Sequence, residues 1–212
     1  MSNSCVFTPM ASDELTTSIS FEGGSVEYIS QGDAAFFDYD AWGKAQPSIC
    51  NLSRVDALAI PVDGLHPAWL VEVKDFRVVN FPPGVRSTVG LPQTLEKKVN
   101  DTLAVLTNSE MCPLALQGLM QGDVFFLFHY ERPPKSFDAY FPSGYPLDQF
   151  DTFQNQLRQP RIKKSFMMTA SHINADDTVP WEARLHDTRA VLTIDPSSPL
   201  RGFRLRTCGA TP

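Results

Sequence analysis

The stretch "WLVEVKDFR", residues 69–77, places two opposite charges inside an apolar segment. Its β-branched residues favour an extended strand within a sheet. Successive side chains of a strand point to opposite faces, so Glu72 and Lys74 share one face while Val71 and Val73 share the other. An acid and a base therefore lie two positions apart in what is otherwise a buried strand, and the fold must place other groups around them.

The segment before this strand predicts its partner. "RVDALAIPV" (54–62) and "AWLVEVKDF" (68–76) flank "DGLHP", whose glycine, proline and length are typical of a hairpin connection. If the chain turns about residues 64–65, paired positions have numbers that sum to about 129. This register predicts Asp56 opposite Val73, at about 5 Å across the two strands and between the two charged residues.

Two carboxylates at this spacing repel each other when the sheet excludes water, and a positive group is needed beside them. A hard divalent cation meets this need, because Mg²⁺ prefers oxygen ligands and uses one or two carboxylates with water and substrate phosphate. We therefore predict a Mg²⁺ (or Mn²⁺) site at Asp56 and Glu72, with the backbone carbonyl of Val73 as a further ligand. Lys74 is predicted to orient or activate a water and to offset charge on the phosphate.

Asp56, followed after fifteen residues by "EVK", resembles the Asp…(Asp/Glu)-x-Lys signature of the PD-(D/E)xK nuclease superfamily, the restriction-endonuclease-like fold. "RVDALAIPVDGLHPAWLVEVKDFR" with the later "LEKKVNDTLAVL" also resembles small bacterial proteins of that superfamily, and the resemblance covers residues 54–106. It implies a restriction-endonuclease-like core of a mixed sheet flanked by helices, and Mg²⁺-dependent hydrolysis of phosphodiester bonds. It further implies Asp56 and Glu72 as metal ligands and Lys74 as the catalytic lysine.

Two features depart from the usual pattern of that superfamily. Val55 stands where many members have proline, which is a common variation. No N-terminal helix is predicted to carry the additional glutamate that many members supply, and Glu14 and Glu27 are the candidates for it. Lys98, on the helix that follows the hairpin, is a candidate auxiliary contact to phosphate.

The same residues also have purely structural interpretations. Glu72 and Lys74 are consistent with a solvent-facing ion pair on an edge strand. Asp75 and Arg77 are expected to form a local pair, and His129, inside the apolar "FFLFHYE", is expected to be a hydrogen-bonded core histidine. The sequence has no GxSxG, P-loop or dinucleotide-binding motif.

Alternating segments before the hairpin, "TSISFEG", "SVEYIS" and "AAFFDYDAW", predict a meander of short strands with turns at Gly23–Gly24 and Gly32–Asp33. After the hairpin, a stripe at helical spacing predicts a helix over residues 94–108 with Thr94 as its N-cap. The stripe consists of Leu95, Val99, Leu103 and Leu106.

The second half of the chain predicts a central strand at "DVFFLFHYE", a weaker helix at "LDQFDTFQNQLRQ" and a strand at "KKSFMMTAS". "PWEARLHDTRAVLTIDPSSPL" is ambiguous, consistent with a short helix and a strand, and the last dozen residues are interpreted as a tail. The order of elements predicts an α/β fold, with a mixed β-sheet flanked by helices.

Length and composition indicate one domain. The chain has 212 residues, 42% of them hydrophobic, which favours a single domain over 1–212, with its core at about 15–172 and a C-terminal extension at about 173–212. No apolar run approaches the roughly 20 residues of a membrane span, and the N-terminus lacks a signal-peptide pattern. We therefore expect a cytoplasmic protein without a membrane partner. Its four cysteines lack zinc-site spacing.

The net charge of −6 argues against a protein that coats nucleic acid generally. Two basic segments, "RQPRIKK" and "LRGFRLR", hold seven of the eighteen Lys and Arg residues. A solvated face is the first interpretation of such segments, and a local contact with nucleic acid is the alternative. The leading hypothesis is a metal-dependent nuclease acting on DNA, with a partner protein or a homodimer involved in target choice. The alternatives are a catalytically silent nuclease-like module that binds a protein, and an acidic immunity protein for a basic toxin.

Overall fold

The structure, a computed structural model, describes residues 15–62, 67–75, 77, 91–108, 122–131, 161–186, 190–194 and 203–207. A short 3-10 helix at Glu22–Gly24 accompanies the strands and α-helices. In chain order these are β1 (Ser18–Phe21), β2 (Val26–Ile29), β3 (Ala34–Phe37), α1 (Tyr39–Ala45), β4 (Ala57–Pro61), β5 (Ala68–Asp75), α2 (Leu91–Thr107), β6 (Val124–Glu131), β7 (Ile162–Met168), α3 (Ala170–Ile173), β8 (Glu182–Leu185), β9 (Ala190–Ile194) and β10 (Phe203–Thr207).

The main sheet has five strands in the order β3-β4-β5-β6-β7. The pairs β3–β4 and β4–β5 are antiparallel, while β5–β6 and β6–β7 are parallel. A parallel pair requires a crossover connection, and α2 lies in the chain between β5 and β6. The predicted α/β fold with a mixed sheet is confirmed at this level, as are the hairpin strands and the apolar strand β6.

The predicted hairpin register is wrong by one residue. The observed pairs are Ala57↔Val71, Leu58↔Leu70 and Ala59↔Trp69, whose numbers sum to 128. Directly opposed residues share a face of the sheet, so a sum of 129 would set Leu58 against a residue of the other face. The observed register, continued by one residue beyond β4, brings Asp56 level with Glu72 and not with Val73.

The predicted meander is also corrected, because β2 and β3 belong to different sheets. β1 and β2 form a hairpin, and the predicted turn is confirmed by the positive φ angles of Gly23 (71°) and Gly24 (90°). β2 then pairs with β8 in a three-stranded sheet, while β3 pairs with β4 in the main sheet. Gly32, with φ of 114°, allows the chain to leave one sheet for the other.

The segment "AAFFDYDAW" is a strand only as far as Phe37. Asp38 accepts a hydrogen bond from the backbone N–H of Ala41 at 2.8 Å and so caps α1, which ends the strand where a longer one was predicted. Aspartate is favoured at helix caps and disfavoured in strands. The aromatic side chains that follow Asp38 fit the buried face of a helix as well as they fit a strand.

The predicted helix over 94–108 is α2, which extends from Leu91 to Thr107. Its apolar stripe is buried as predicted, in a cluster with Leu70, Phe126 and Phe128 of the main sheet. Thr94 lies inside the helix, so its assignment as the N-cap is wrong. The two faces of the main sheet are covered differently, because α1 and α2 pack on one face and the three-stranded sheet with α3 packs on the other.

The C-terminal part contains strands where a helix and a tail were expected. β8 replaces the predicted short helix, and its Ala183 is buried with Trp181 in the cluster between the two sheets. β9 pairs with β10 in an antiparallel hairpin, so residues 203–207 of the predicted tail are a strand. The predicted strand "KKSFMMTAS" ends at Met168 and α3 follows it. The predicted helix at "LDQFDTFQNQLRQ" lies outside the described residues.

Within the described part of the chain, no helix is long and apolar enough to cross a membrane.

Replacing Leu103 by alanine should destabilise the fold by about 2 to 5 kcal/mol, because it removes a large side chain from the interface between α2 and the sheet. Urea unfolding measures the loss. Gln93→Ala, at an exposed position of the same helix, is the control and should change the free energy of unfolding by less than about 0.5 kcal/mol. Equal effects of the two substitutions would show that the stripe does not form the core contact.

Candidate functional site

The candidate site lies beside the last residues of β5, which extend beyond the pairing of β5 with the first residue of β4. The ladder between these strands begins at Ala57↔Val71, so among the described residues no strand pairs with the backbone of Val73 on the β4 side. The carboxylate of Asp56 takes the place of the missing strand, because Val73 donates its backbone N–H to Asp56 Oδ2 at 2.8 Å. The N–H and C=O of one strand residue point to the same side, so the Val73 carbonyl also faces Asp56. We call this gap beside Val73, where β4 is missing, the notch.

The backbone of Asp56 is fixed from three directions. Asp56 donates its N–H to the carbonyl of Val71 at 3.0 Å, and its own carbonyl accepts a hydrogen bond from Asp40 at the start of α1 at 3.0 Å. Val55 donates its N–H to the hydroxyl of Thr102 on α2 at 3.2 Å. Strand β5 and both helices therefore hold the aspartate in one position, which is the preorganisation that a binding or catalytic group needs.

Glu72 is the most deeply buried charge of the site. Its side chain is completely inaccessible to solvent, and two ammonium groups contact its carboxylate. Lys98 Nζ lies 2.6 Å from Oε1 and 2.7 Å from Oε2, and Lys74 Nζ lies 2.9 Å from Oε1. The alternative that Glu72 and Lys74 are an exposed surface pair is therefore wrong, because β5 is an interior strand and the pair lies under α2.

Lys74 connects all the acids of the site. In addition to Glu72, its ammonium lies 3.8 Å from Asp56 Oδ2 and 3.3 Å from Glu22 Oε1, and it donates to the Val73 carbonyl at 2.9 Å. The predicted convergence of Asp56, Glu72 and Lys74 is therefore present in the structure. About a fifth of the Lys74 side chain remains exposed (22%), so solvent reaches the cluster.

The charges shift one another's proton affinity. Burial raises the pKa of Glu72, and the nearby Asp56 raises it further, while Lys74 and Lys98 act in the opposite direction. Burial lowers the pKa of Lys74, but attraction to Glu72, Asp56 and Glu22 outweighs burial, so that its pKa is raised overall. The Lys74 ammonium therefore holds its proton more strongly than an ordinary lysine does.

Glu22 is the residue of the site that the sequence did not reveal. It follows β1 in the 3-10 helix, and its carboxylate contacts the ammonium of Lys74. Glu27 instead lies 3.0 Å from His186 on the three-stranded sheet, and Glu14 lies outside the described residues. The only local signal was an acidic residue directly before two glycines, which also suits an ordinary turn.

An acidic cavity opens beside Asp56, with a volume of about 260 Å³. Glu22, Asp38 and Asp40 supply the other carboxylates of its wall, and Asp40 is paired with Lys44. Phosphate is repelled by such a surface unless a cation neutralises it. A larger cavity of about 960 Å³ lies near the amino ends of β5 and β6, at the opposite edge of the main sheet, and contains none of the predicted site residues.

The donor atoms at the notch suit a hard divalent cation. Asp56, Glu72 and the Val73 carbonyl supply oxygen only, and Mg²⁺ is commonly held by one or two carboxylates with water completing its shell. In the described part of the chain, no group of three or more acidic, histidine or cysteine side chains is arranged to hold a metal ion. The two carboxylates and the carbonyl are the donor set that would hold such a cation. Lys98 contacts both acids, at 3.7 Å from Asp56 Oδ1 and 2.6 Å from Glu72 Oε1.

The structural interpretations of His129 and of the Asp75–Arg77 pair are confirmed. His129 is fully buried, with the Tyr28 hydroxyl 2.7 Å from Nδ1 and Glu131 2.8 Å from Nε2. Asp75 pairs with Arg77 at 2.8 Å, and Arg77 also donates to the backbone carbonyl of Ser25 at 3.0 Å. This pair joins the end of β5 to the three-stranded sheet and takes no part in the notch.

The basic segment "RQPRIKK" does not reach the site in its described part. Lys163 and Lys164 lie near the start of β7, and β5, β6 and β7 are parallel, so these lysines are at the opposite edge from the end of β5. Lys163 pairs with Asp123, and Lys164 lies over the ring of Phe125 at 5.8 Å. For "LRGFRLR", only the strand β10 is described.

Cys50, among the described residues, is an exposed free thiol.

In comparisons with family models, with curated proteins and with solved structures, nothing matches this chain. The geometry of the site and the resemblance of its motif therefore carry the functional argument.

Asp75→Asn should destabilise the protein at pH 7 by about 1 to 3 kcal/mol, because it weakens a charged hydrogen bond to Arg77. Burial raises the pKa of Asp75, but the hydrogen bonds from Arg77 outweigh it and lower the pKa from its ordinary value of 3.8. The stabilisation is therefore present above about pH 4 and is lost as the pH falls through the lowered pKa.

Urea unfolding of both proteins at pH 7 and pH 3 measures this difference. The exposed pair offers a control, since Asp123→Asn should change stability by less than about 1 kcal/mol at either pH. A deficit of Asp75→Asn that is as large at pH 3 as at pH 7 would contradict a charge effect.

Proposed function

We propose that the protein is a metal-dependent nuclease that hydrolyses phosphodiester bonds, with DNA as its substrate. The observation that supports the proposal most is the meeting of Asp56, Glu72 and Lys74 in one partly hydrated notch. The mixed sheet, with a helix between the parallel strands β5 and β6, agrees with the restriction-endonuclease-like core that the motif's resemblance implies. Glu22 supplies the additional acid that the resemblance leads one to expect.

The chain's own residues would each perform a separate task. Asp56, Glu72 and the Val73 carbonyl would hold Mg²⁺ or Mn²⁺, which when bound polarises the phosphate and lowers the pKa of a water. Lys74 keeps its proton and donates toward charge that grows on the phosphate in the transition state. Glu22 holds the Lys74 ammonium from the cavity side, at 3.3 Å, and limits the directions in which it can point.

The acidic surroundings explain why such a nuclease would need a metal for binding as well as for chemistry. The carboxylates that line the cavity beside Asp56 repel a phosphodiester, and the lysines of the notch are already paired with acids. A divalent cation at the notch offsets this negative charge and gives the phosphate a positive partner. The proposal therefore includes metal-dependent binding of nucleic acid, with little binding in its absence.

A second candidate is a catalytically silent nuclease-like module that binds a partner protein, including an immunity protein against a basic toxin. The observation that favours it is the bidentate contact of Lys98 with Glu72, which already neutralises one of the two proposed metal ligands. An acidic cavity would suit a cationic surface of a partner. The two candidates differ in whether a divalent metal binds at Asp56 and Glu72.

Asp56→Ala should weaken Mg²⁺ or Mn²⁺ binding by at least about a hundredfold, since it removes one of two carboxylate ligands. Isothermal titration calorimetry with MnCl₂ measures the affinity. Asp123→Ala removes an exposed carboxylate at the opposite edge of the sheet and is the matched control. Equal affinities of the wild type and Asp56→Ala would remove Asp56 from the metal site.

Lys74→Ala should abolish cleavage, lowering the rate by at least about a hundredfold, while metal binding remains. Its ammonium acts mainly on the transition state, so the rate suffers more than binding does. Gel assays on single- and double-stranded DNA and RNA with Mg²⁺ or Mn²⁺ give the rates, and thermal melting checks the fold. Lys44→Ala, which removes an exposed lysine on α1, is the control.

Cleavage by Lys74→Ala at the wild-type rate would exclude Lys74 from the mechanism. Absence of cleavage by the wild type on all substrates with either metal would reject the nuclease and leave the partner-binding module.

A further inference from the structure

Lys98 makes the closest contacts in the site, although the catalytic motif does not include it. Its ammonium lies 2.6 Å and 2.7 Å from the two oxygens of Glu72 and 3.7 Å from Asp56 Oδ1. It therefore bridges the two carboxylates that a metal ion would bridge. Its position is set by α2, whose buried Val99 and Leu95 fix the helix against the sheet on either side of it.

We propose that Lys98 is a built-in counter-ion that a divalent metal must displace, so that it lowers and sets the metal affinity of the site. This inference rests on the proposed function, because it concerns the same two ligands. An ammonium and a divalent cation cannot occupy the same space between Asp56 and Glu72, and each excludes the other by volume and by charge.

The charge balance requires such a counter-ion in the metal-free protein. Glu22, Asp56 and Glu72 bring three negative charges together, and Lys74 and Lys98 supply two positive charges. A carboxylate as buried as Glu72 is very unfavourable without hydrogen-bonded cations. Lys98 provides that stabilisation through both carboxylate oxygens, and its departure is tolerated only when another cation arrives.

The Lys98 ammonium is also able to move away from the two carboxylates. About a fifth of its side chain is exposed (20%), and its long flexible stem can turn the ammonium toward solvent without moving α2. Lys74, by contrast, is held by Glu22 and by the Val73 carbonyl in addition to Glu72. The exchange therefore displaces Lys98 and leaves Lys74 in place.

Replacing Lys98 by methionine tests the inference, because methionine keeps much of the stem and removes the charge. We expect Lys98→Met to bind Mn²⁺ at least about tenfold more tightly than the wild type in isothermal titration calorimetry, since no ammonium competes. Its melting temperature without metal should fall, and saturating Mn²⁺ should raise it by more than in the wild type. Lys98→Arg keeps the charge and should not gain affinity.

Lys97 provides a matched control on the same helix. It is exposed and pairs with Asp101 at 2.5 Å, so Lys97→Met should leave the Mn²⁺ affinity unchanged. An affinity of Lys98→Met equal to or weaker than that of the wild type would overturn the inference, as would the absence of Mn²⁺ binding in every variant. A lysine with a merely structural role would lower the melting temperature without tightening metal binding.

The fates of the two proposals can be separated. Metal-dependent cleavage by the wild type, together with an unchanged affinity in Lys98→Met, would retain the nuclease and reject the counter-ion. Tighter Mn²⁺ binding by Lys98→Met in a protein that cleaves no nucleic acid would retain the counter-ion and reject the nuclease.

Discussion

The burial of one negative charge, on Glu72, determines how the rest of the site is arranged. Its side chain has no contact with solvent, and such a charge persists in a fold only when cations and hydrogen bonds surround it. Lys74 arrives from the same strand and Lys98 from the helix above it. The positions of the two ammonium groups are therefore tied to one carboxylate. A strand that served only as core would carry an apolar residue in its place.

The early end of the β4–β5 ladder gives that carboxylate its neighbour. Asp56 stands one residue before β4, and its side chain accepts the hydrogen bond that a longer strand would have accepted from Val73. Burial raises the pKa of Glu72, and repulsion from the carboxylate of Asp56 raises it further. Carboxylates that lie close together repel one another, so their clustering does not stabilise the fold. A bound cation would reduce this repulsion, which is the physical reason to expect a cationic ligand there.

The local patterns in the sequence predicted the parts of the site that lie on neighbouring elements. Alternation along β5 predicted that Glu72 and Lys74 share one face, and the short connection predicted that Asp56 lies near them. The predicted register was wrong by one residue, because the centre of the turn does not fix the register by itself. The helical stripe of α2 oriented Lys98 toward the sheet. Glu22 could not be found in this way, since it reaches Lys74, 52 positions away, only through the packing of the three-stranded sheet on the main sheet.

The errors in the predicted fold also arise where a local pattern does not decide between a strand and a helix. The strand that was extended through "AAFFDYDAW" ends because Asp38 caps α1, and a hydrophobic pattern does not distinguish a buried strand from a short buried helix. The segment of β8 was left ambiguous between a helix and a strand, because it is short and its pairing partner β2 is distant in sequence. The apolar run of β6 and the helical stripe of α2 were recognisable without knowledge of their partners.

The proposed exchange of Lys98 for a divalent metal at the notch between Asp56 and Glu72 can be observed directly. Anomalous diffraction from crystals of the wild type soaked in MnCl₂ locates manganese. We expect a manganese peak in contact with the carboxylates of Asp56 and Glu72, with the Lys98 ammonium displaced from Glu72. A peak that is absent from the notch, or a Lys98 that keeps both contacts with Glu72 at saturating manganese, would contradict it.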